Sequence, residues 1–137
     1  QAIGEACRLI ARDDADIMLA GGSDSRIEPL MLVAYASLGA LSRSKRHCHE
    51  VSRPFDRDRD GFVLGEGAAV LVLEEYERAK ARGATMYAEV IGYGSSCDAF
   101  GITRPEPSGK GAARAMNGAL KDARINRDRI DYINAHG

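Results

Sequence analysis

The apolar residues of this chain follow two alternating patterns. In four segments they recur three or four positions apart, as Ile3, Ala6, Leu9 and Ile10 do, which predicts amphipathic helices. The predicted helices span residues 2–12, 28–41, 74–82 and 109–123. Four short, nearly continuous apolar runs lie outside these segments, which predicts strands covered on both faces. The predicted strands span residues 16–20, 67–73, 87–93 and 129–135.

Helices and strands therefore alternate along the whole chain. This order, with apolar strands, predicts an α/β fold in which helices cover the sheets. Residues 42–61 are polar and charged, and we expect them to form a long exposed loop. The pattern opens within a helix and closes at a strand tip, so we expect a segment of a larger α/β protein.

Composition and charge narrow the class of protein. The 137 residues are 45% hydrophobic and 28% charged, with a formal net charge of −1, which is typical of a globular protein. No basic stripe with interleaved aromatics is present, so we expect no nucleic-acid partner. No apolar run is long enough for a membrane span, and no signal-peptide pattern opens the chain. Three cysteines without CxxC spacing indicate a reducing compartment, so we expect a cytoplasmic protein.

The sequence DRDRDG, residues 56–61, matches the opening of a calcium-binding EF-hand loop. Three carboxylates at alternate positions and a glycine at the sixth are what such a loop requires. The twelfth position is Gly67 instead of glutamate, however, and Pro54 and a strand stand where the flanking helices belong. We therefore expect a charged loop that is paired internally, with a calcium-binding module as the competing hypothesis.

The histidines and cysteines form no recognisable metal site. In HCH, residues 47–49, consecutive side chains diverge, so an exposed polar tip is expected instead of zinc ligation. Cys97 follows a glycine-rich stretch, but the carboxylate of Asp98 works against a thiolate there. Cys7 lies on the apolar side of the first helix, and we expect both cysteines to be unreactive.

His136 is the strongest candidate for chemistry. It closes the last predicted strand, in the sequence INAHG, where α/β proteins place their active sites. The small neighbours Ala135 and Gly137 leave room beside the imidazole for a substrate. Taken alone, a single histidine is more often a surface or satisfied core residue than a catalytic one.

Four blocks of the sequence together carry a resemblance to a family. Residues 52–84, SRPFDRDRDGFVLGEGAAVLVLEEYERAKARGA, resemble the signature block of the β-ketoacyl-acyl-carrier-protein synthases. INAHG is similar to the strand that carries the first of the two catalytic histidines of that family. DADIMLAGGSDS and GKGAARAMNGALKDARI resemble family segments in the same order. Within the family the chain is most similar to the elongating type II bacterial enzymes and related polyketide ketosynthases.

The resemblance implies a layered thiolase-like fold and a central position within it. Residues 1–84 would be the end of the N-terminal half, and residues 85–137 the start of the C-terminal half. The nucleophilic cysteine would lie about five residues before Gln1 by the alignment of the family's helix, and the second histidine after Gly137. None of the three cysteines present corresponds to the nucleophile.

The family's chemistry assigns roles to three residues. His136 would donate a hydrogen bond to the malonyl thioester oxygen during decarboxylative Claisen condensation. Tyr35 would line the acyl pocket, with core packing as an equal alternative, and Thr103 would lie near the entrance. No metal or other cofactor is implied.

The resemblance also implies partners. These are an acyl carrier protein that bears acyl and malonyl groups on phosphopantetheine, and a second copy in a homodimer. Arg43, Lys45 and Arg46 would supply part of a basic docking rim, although Gly39 stands where some members carry an arginine. A non-catalytic homologue of the chain-length-factor type is the alternative, and the segment by itself is expected to be unstable.

Overall fold

The computed structural model describes residues 1–135. Its helices are α1 (Ala2–Ala11), α2 (Pro29–Ser37), α3 (Tyr76–Ala81) and α4 (Lys110–Ala123), with 3-10 turns at Cys48–Glu50 and Arg127–Arg129. Its strands are β1 (Ile17–Asp24) and β2 (Gly67–Glu74), which pair in a two-stranded sheet. None of the helices in this part of the chain has both the length and the hydropathy that a membrane span requires. The mixture of helices and strands agrees with the predicted α/β class.

The two strands run in opposite directions. The amide of Glu75, just after β2, donates to the carbonyl of Asp16, just before β1, at 3.1 Å. At the other end, the Ser25 hydroxyl after β1 donates to the Glu66 carboxylate before β2 at 2.9 Å. The start of each strand therefore lies beside the end of the other, which is an antiparallel arrangement.

Local sequence signals explain the helix ends. Pro29 occupies the first turn of α2, where its missing amide hydrogen costs nothing. Gly39, at φ +67°, ends the helix because the amide of Ala40 turns back to the carbonyl of Tyr35. This cap ends α2 at Ser37, four residues before the predicted Leu41. The Glu75 side chain caps α3 by accepting from the amides of Glu77 and Arg78, which lowers the pKa of Glu75.

The chain forms two compact units. The first unit contains Gln1–Gly21 and Val70–Ile133, and the second contains Gly22–Ala69 with Asn134 and Ala135. These units are groups of residues in mutual contact, and they do not test the predicted boundary between two family halves at residue 84. That boundary stays a prediction.

In the first unit, small residues allow backbones to approach closely. A Cβ at Gly92 would lie 2.5 Å from the Ala119 carbonyl oxygen of α4, and one at Gly94 would overlap the Ala115 carbonyl oxygen. The Asp122 carboxylate of α4 accepts from the Tyr93 amide at 2.9 Å and pairs with Arg8 of α1 at 2.9 Å. These contacts fix the glycine-rich segment and both helices to one another.

Two of the predicted strands do not form in the described part of the chain, so these two predictions are wrong. Residues 87–93 and 129–135 have no strand hydrogen-bonding partner within residues 1–135. Next to α4, a side chain takes the place of a neighbouring strand, because the Tyr93 amide bonds to the Asp122 carboxylate. The second segment opens with the 3-10 turn Arg127–Arg129, and Tyr132 and Ile133 beyond it are exposed.

The expectation of buried strands also needs correction for β2. The strand is present, but Val70 and Val72 are 64% and 66% exposed. Only one other strand pairs with β2 in the described part of the chain, so its faces are largely uncovered. The buried apolar residues are the small side chains Ala6, Ala20 and Ala79.

Candidate functional site

Tyr35 lies on α2 in the second unit. Its ring meets the ring of Phe62 edge to face, with centroids 5.3 Å apart and planes at 81°. Phe62 in turn is held to the chain beside α2, because its amide donates to the Ala40 carbonyl at 3.0 Å. The aromatic ring of Tyr35 is therefore held by a phenylalanine that is itself bonded to the chain after α2.

The Tyr35 hydroxyl belongs to a polar cluster with Arg26 and Asp24. Arg26 donates from Nη1 to Tyr35 Oη at 3.3 Å and from Nε to Asp24 Oδ1 at 2.8 Å. The hydrogen bond to Asp24 is the main cause that raises the pKa of Arg26 above its ordinary value. The guanidinium therefore keeps its charge at every working pH, although its side chain is half exposed.

Glu66 secures the turn that carries this cluster. Its Oε1 accepts from the Ser25 hydroxyl at 2.9 Å and from the Ile27 amide at 3.0 Å. Both donors lie between β1 and α2, whereas Glu66 directly precedes β2. One carboxylate oxygen thus sets the path of the chain on either side of Arg26.

The calcium-like loop is paired internally, as the sequence predicted. Asp60 accepts from the Ser42 hydroxyl at 2.5 Å and from the Arg43 amide at 2.9 Å, and these bonds lower the pKa of Asp60. Asp56 accepts from the Asp58 amide at 2.7 Å. A Cβ at Gly61, where φ is +146°, would lie 2.5 Å from the Leu41 backbone, so the glycine serves a close backbone approach. Within residues 1–135, no group of three potential metal ligands converges.

Thr103 lies in the first unit, in the exposed loop between Gly94 and α4. Asp98 closes this loop, because its carboxylate accepts from the amides of Phe100 at 3.1 Å and Glu106 at 2.9 Å. These two bonds, the one from Glu106 first, lower the pKa of Asp98. The guanidinium of Arg104 stacks over the Phe100 ring at 5.5 Å. Thr103 therefore sits on a loop whose ends are joined by one carboxylate.

The remaining candidates are cysteines and histidines, and among residues 1–135 they form no metal-binding group. Burial is the main cause that raises the pKa of the Cys7 thiol, which agrees with an unreactive cysteine. Cys97 is exposed, and its carbonyl accepts from Arg114 at 2.9 Å. The rings of His47 and His49 stack at 5.7 Å on the exposed tip that the sequence predicted.

The predicted site residues Tyr35 and Thr103 belong to different units. Tyr35 belongs to the second unit and Thr103 to the first, and the contacts given above for each residue lie within its own unit. His136 lies outside the described residues. Arg43, Lys45 and Arg46 are exposed in the second unit, as a docking rim requires.

Four residues around the candidate site carry contacts that the sequence did not predict. Arg26 and Asp24 stand two residues apart, which is a spacing that allows an ion pair. The spacing gives no indication that Arg26 also contacts Tyr35. Glu66 gave no local signal, because its donors lie 39 and 41 residues away in the sequence. The sequence indicates Asp98 only as a neighbour of Cys97, and no local signal predicts that its carboxylate closes the loop by accepting from the amides of Phe100 and Glu106.

Family models match nearly the whole chain. The β-ketoacyl synthase N-terminal domain matches residues 1–79, and the β-ketoacyl synthase C-terminal domain matches residues 87–137. The 3-oxoacyl-[acyl-carrier-protein] synthase 2 of Rhizobium meliloti is 58% identical over 99% of this chain and 32% of its own length. The protein of the same name from Vibrio cholerae is 51% identical over 98% of this chain and 33% of its own length.

A solved structure extends the likeness to three dimensions. It contains a type II PKS acyl-carrier protein in complex with its ketosynthase bound to the hexaketide, and the match has a TM-score of 0.92. Identity is 44% over 99% of this chain and 34% of that chain. The likeness confirms the predicted thiolase-like fold class, and the chain spans about one third of the length of the curated relatives it matches. With both halves matched by family models and half or more of its residues shared with these relatives, the chain belongs to the β-ketoacyl synthase family.

Proposed function

We propose that this chain is the central segment of an elongating 3-oxoacyl-[acyl-carrier-protein] synthase. The observation that carries the proposal is the identity of 51–58% to curated synthases over 98–99% of the chain. The non-catalytic chain-length-factor alternative is not favoured, because these relatives are named synthases. Fatty-acid and polyketide elongation are both supported, the first by the relatives and the second by the ketosynthase structure.

The proposed reaction joins two thioesters. A cysteine thiolate, supplied by a part of the enzyme outside this segment, attacks an acyl thioester and releases the thiol of its carrier protein. Malonyl-carrier protein then loses CO₂, and the resulting enolate attacks the enzyme-bound acyl group. A carbon–carbon bond forms and the cysteine leaves as thiolate, which regenerates the enzyme. No metal or redox cofactor takes part in this sequence of steps.

His136 is proposed to stabilise the enolate. A neutral imidazole that donates a hydrogen bond to the malonyl thioester oxygen lowers the energy of the developing negative charge, a contribution of about 2.7–4 kcal/mol in comparable sites. The support for this role is the match of INAHG to the family strand, within the C-terminal domain match that includes His136.

Tyr35 and Thr103 are proposed to contact the substrate. The edge-to-face contact with Phe62 supports a fixed wall for the acyl chain at Tyr35. The closure of the Thr103 loop by Asp98 supports a defined entrance instead of a mobile one. The boundary between the two halves is proposed near residue 84, between the two family matches.

The proposed partner is an acyl carrier protein with acyl or malonyl phosphopantetheine. A similar ketosynthase forms a complex with its acyl-carrier protein, which supports this partner. Arg43, Lys45 and Arg46 offer positive charge for an acidic carrier, in a chain whose net charge is close to zero. A cytoplasmic homodimer is part of the same proposal.

The test is condensation by the intact enzyme with acyl- and malonyl-carrier protein, followed as formation of the 3-oxoacyl product. His136→Ala is expected to lower the condensation rate by about 10²–10³ or more. Arg57→Ala is the matched control, since that side chain is 93% exposed and its hydrogen bond and ion pair among the described residues are to the neighbouring Asp58. Failure of the unaltered enzyme to condense the two thioesters, or full activity of His136→Ala, would disprove the proposal.

A further inference from the structure

A cluster of hydrogen-bond donors lies beside Tyr35, at the proposed wall of the acyl pocket. Tyr35 Oη accepts one hydrogen bond from Arg26, so its own hydrogen remains to be donated. A guanidinium carries five N–H groups, and Arg26 uses one toward Asp24 and one toward Tyr35. Within residues 1–135 the other N–H groups of Arg26 have no acceptor.

Two interactions hold the donors of this cluster in place. Asp24 holds the guanidinium by a charge-assisted bond of 2.8 Å, and the Phe62 ring meets the Tyr35 ring edge to face. Glu66 fixes the chain immediately before and after Arg26. A fixed donor set costs less entropy when it binds an acceptor than a mobile one does.

The chemistry of this cluster selects among acyl chains. An alkyl chain that reaches a charged guanidinium displaces water from N–H groups and offers them no acceptor, which is unfavourable. A carbonyl or hydroxyl oxygen of the acyl chain that reaches the same donors accepts a hydrogen bond from the guanidinium or from the tyrosine hydroxyl. Sites built to hydrogen-bond a polar group reject the analogue that lacks it far more strongly than an apolar pocket rejects a polar analogue.

We propose that Arg26 and Tyr35 make this enzyme selective for acyl chains that carry a carbonyl or hydroxyl oxygen along their length. The proposal rests on the function proposed above, because it places Tyr35 at the acyl pocket. It adds the substrate class and a specificity-determining residue, Arg26. Asp24 acts as a positioning residue, since it reaches the substrate only through Arg26.

The test compares two acyl chains of equal length in the intact enzyme. One is octanoyl-carrier protein, and the other is the same chain with a carbonyl at its penultimate carbon. The measured quantity is the ratio of kcat/KM for the two substrates in one enzyme preparation. This ratio is independent of the fraction of correctly folded enzyme, so a variant that is partly unfolded still gives a valid result.

The unaltered enzyme is expected to favour the oxygenated chain by about tenfold or more. Arg26→Ala is expected to bring the ratio to about one or to reverse it, and Tyr35→Phe, which keeps the ring and its contact with Phe62, to lower it at least about threefold. Asp24→Asn is expected to lower the ratio less than Arg26→Ala, and Arg57→Ala to leave it unchanged.

The possible results separate this inference from the proposed function. Condensation of both chains with a ratio near one, or a ratio that Arg26→Ala does not change, would overturn the selectivity and leave the condensing function intact. A lack of condensation with either chain would overturn both. A large ratio that both variants reduce supports the assignment.

Discussion

The 137-residue chain expressed by itself is expected to be aggregated or molten. Its accessible surface is 11,492 Å². Two compact bodies of about 9 and 6 kDa, the sizes of its two units, would together expose about 8,300 Å². The chain therefore exposes about 3,200 Å² more than well-packed bodies of its size, whatever the arrangement of the units.

This excess is large in energetic terms. If half of it is apolar, the missing burial corresponds to about 40 kcal/mol of hydrophobic stabilisation at about 25 cal/mol per Å². A folded domain has a net stability of only roughly 5–15 kcal/mol, so even a fraction of this deficit is decisive. The exposed side chains include Leu19 at 69%, Leu30 at 74% and Leu38 at 77%.

The assay combines three measurements on the isolated chain, with the intact enzyme as control. We expect strong binding of the dye ANS, weak near-ultraviolet circular dichroism despite helical far-ultraviolet signal, and no calorimetric transition. Elution of the isolated chain as soluble aggregates would equally support the prediction that it lacks a well-packed core. A monomeric chain with a single cooperative thermal transition would refute it, because such a transition requires a well-packed core.

Two further predictions concern the stability of the intact enzyme. Gly94→Ala would overlap the Ala115 carbonyl oxygen of α4, so we expect a loss of about 1–3 kcal/mol in the free energy of unfolding. Gly22→Ala, whose added Cβ meets no atom within 4 Å among residues 1–135, is the matched control, and equal denaturation midpoints of the two variants would contradict the packing argument. Asp122→Asn is expected to lower the melting temperature at neutral pH, because the Tyr93 amide, and then Arg8, lower the pKa of Asp122 from its ordinary value near 3.8. A carboxyl with a lowered pKa stabilises the fold above its unfolded pKa and loses that contribution as pH falls through the folded value, so the difference from the unaltered enzyme must shrink below about pH 4. A difference that stays constant from pH 7 to about pH 3 would exclude this linkage.

The sequence predicted local structure where the signal is itself local. The four helices were found within a few residues, because apolar spacing and a first-turn proline such as Pro29 act over one or two turns. β1 and β2 were also predicted, since apolar runs between turns are typical of strands. The segment 87–93 is also mostly apolar, but a strand requires a partner, and the Tyr93 amide bonds to an aspartate on a helix.

The candidate site shows the same limit more sharply. Tyr35 could be singled out by family resemblance, yet its hydroxyl takes its chemical character from Arg26, and Arg26 owes its position to Asp24 and Glu66. The last of these contacts joins residues 39 positions apart and exists only because β1 and β2 pair in opposite directions. A family motif points to the residue that is proposed to meet the substrate, whereas the polarity around that residue depends on strand pairing that no periodicity encodes. If Arg26 sets the substrate class, two ketosynthases with the same catalytic motifs can differ in product because of a turn between a strand and a helix.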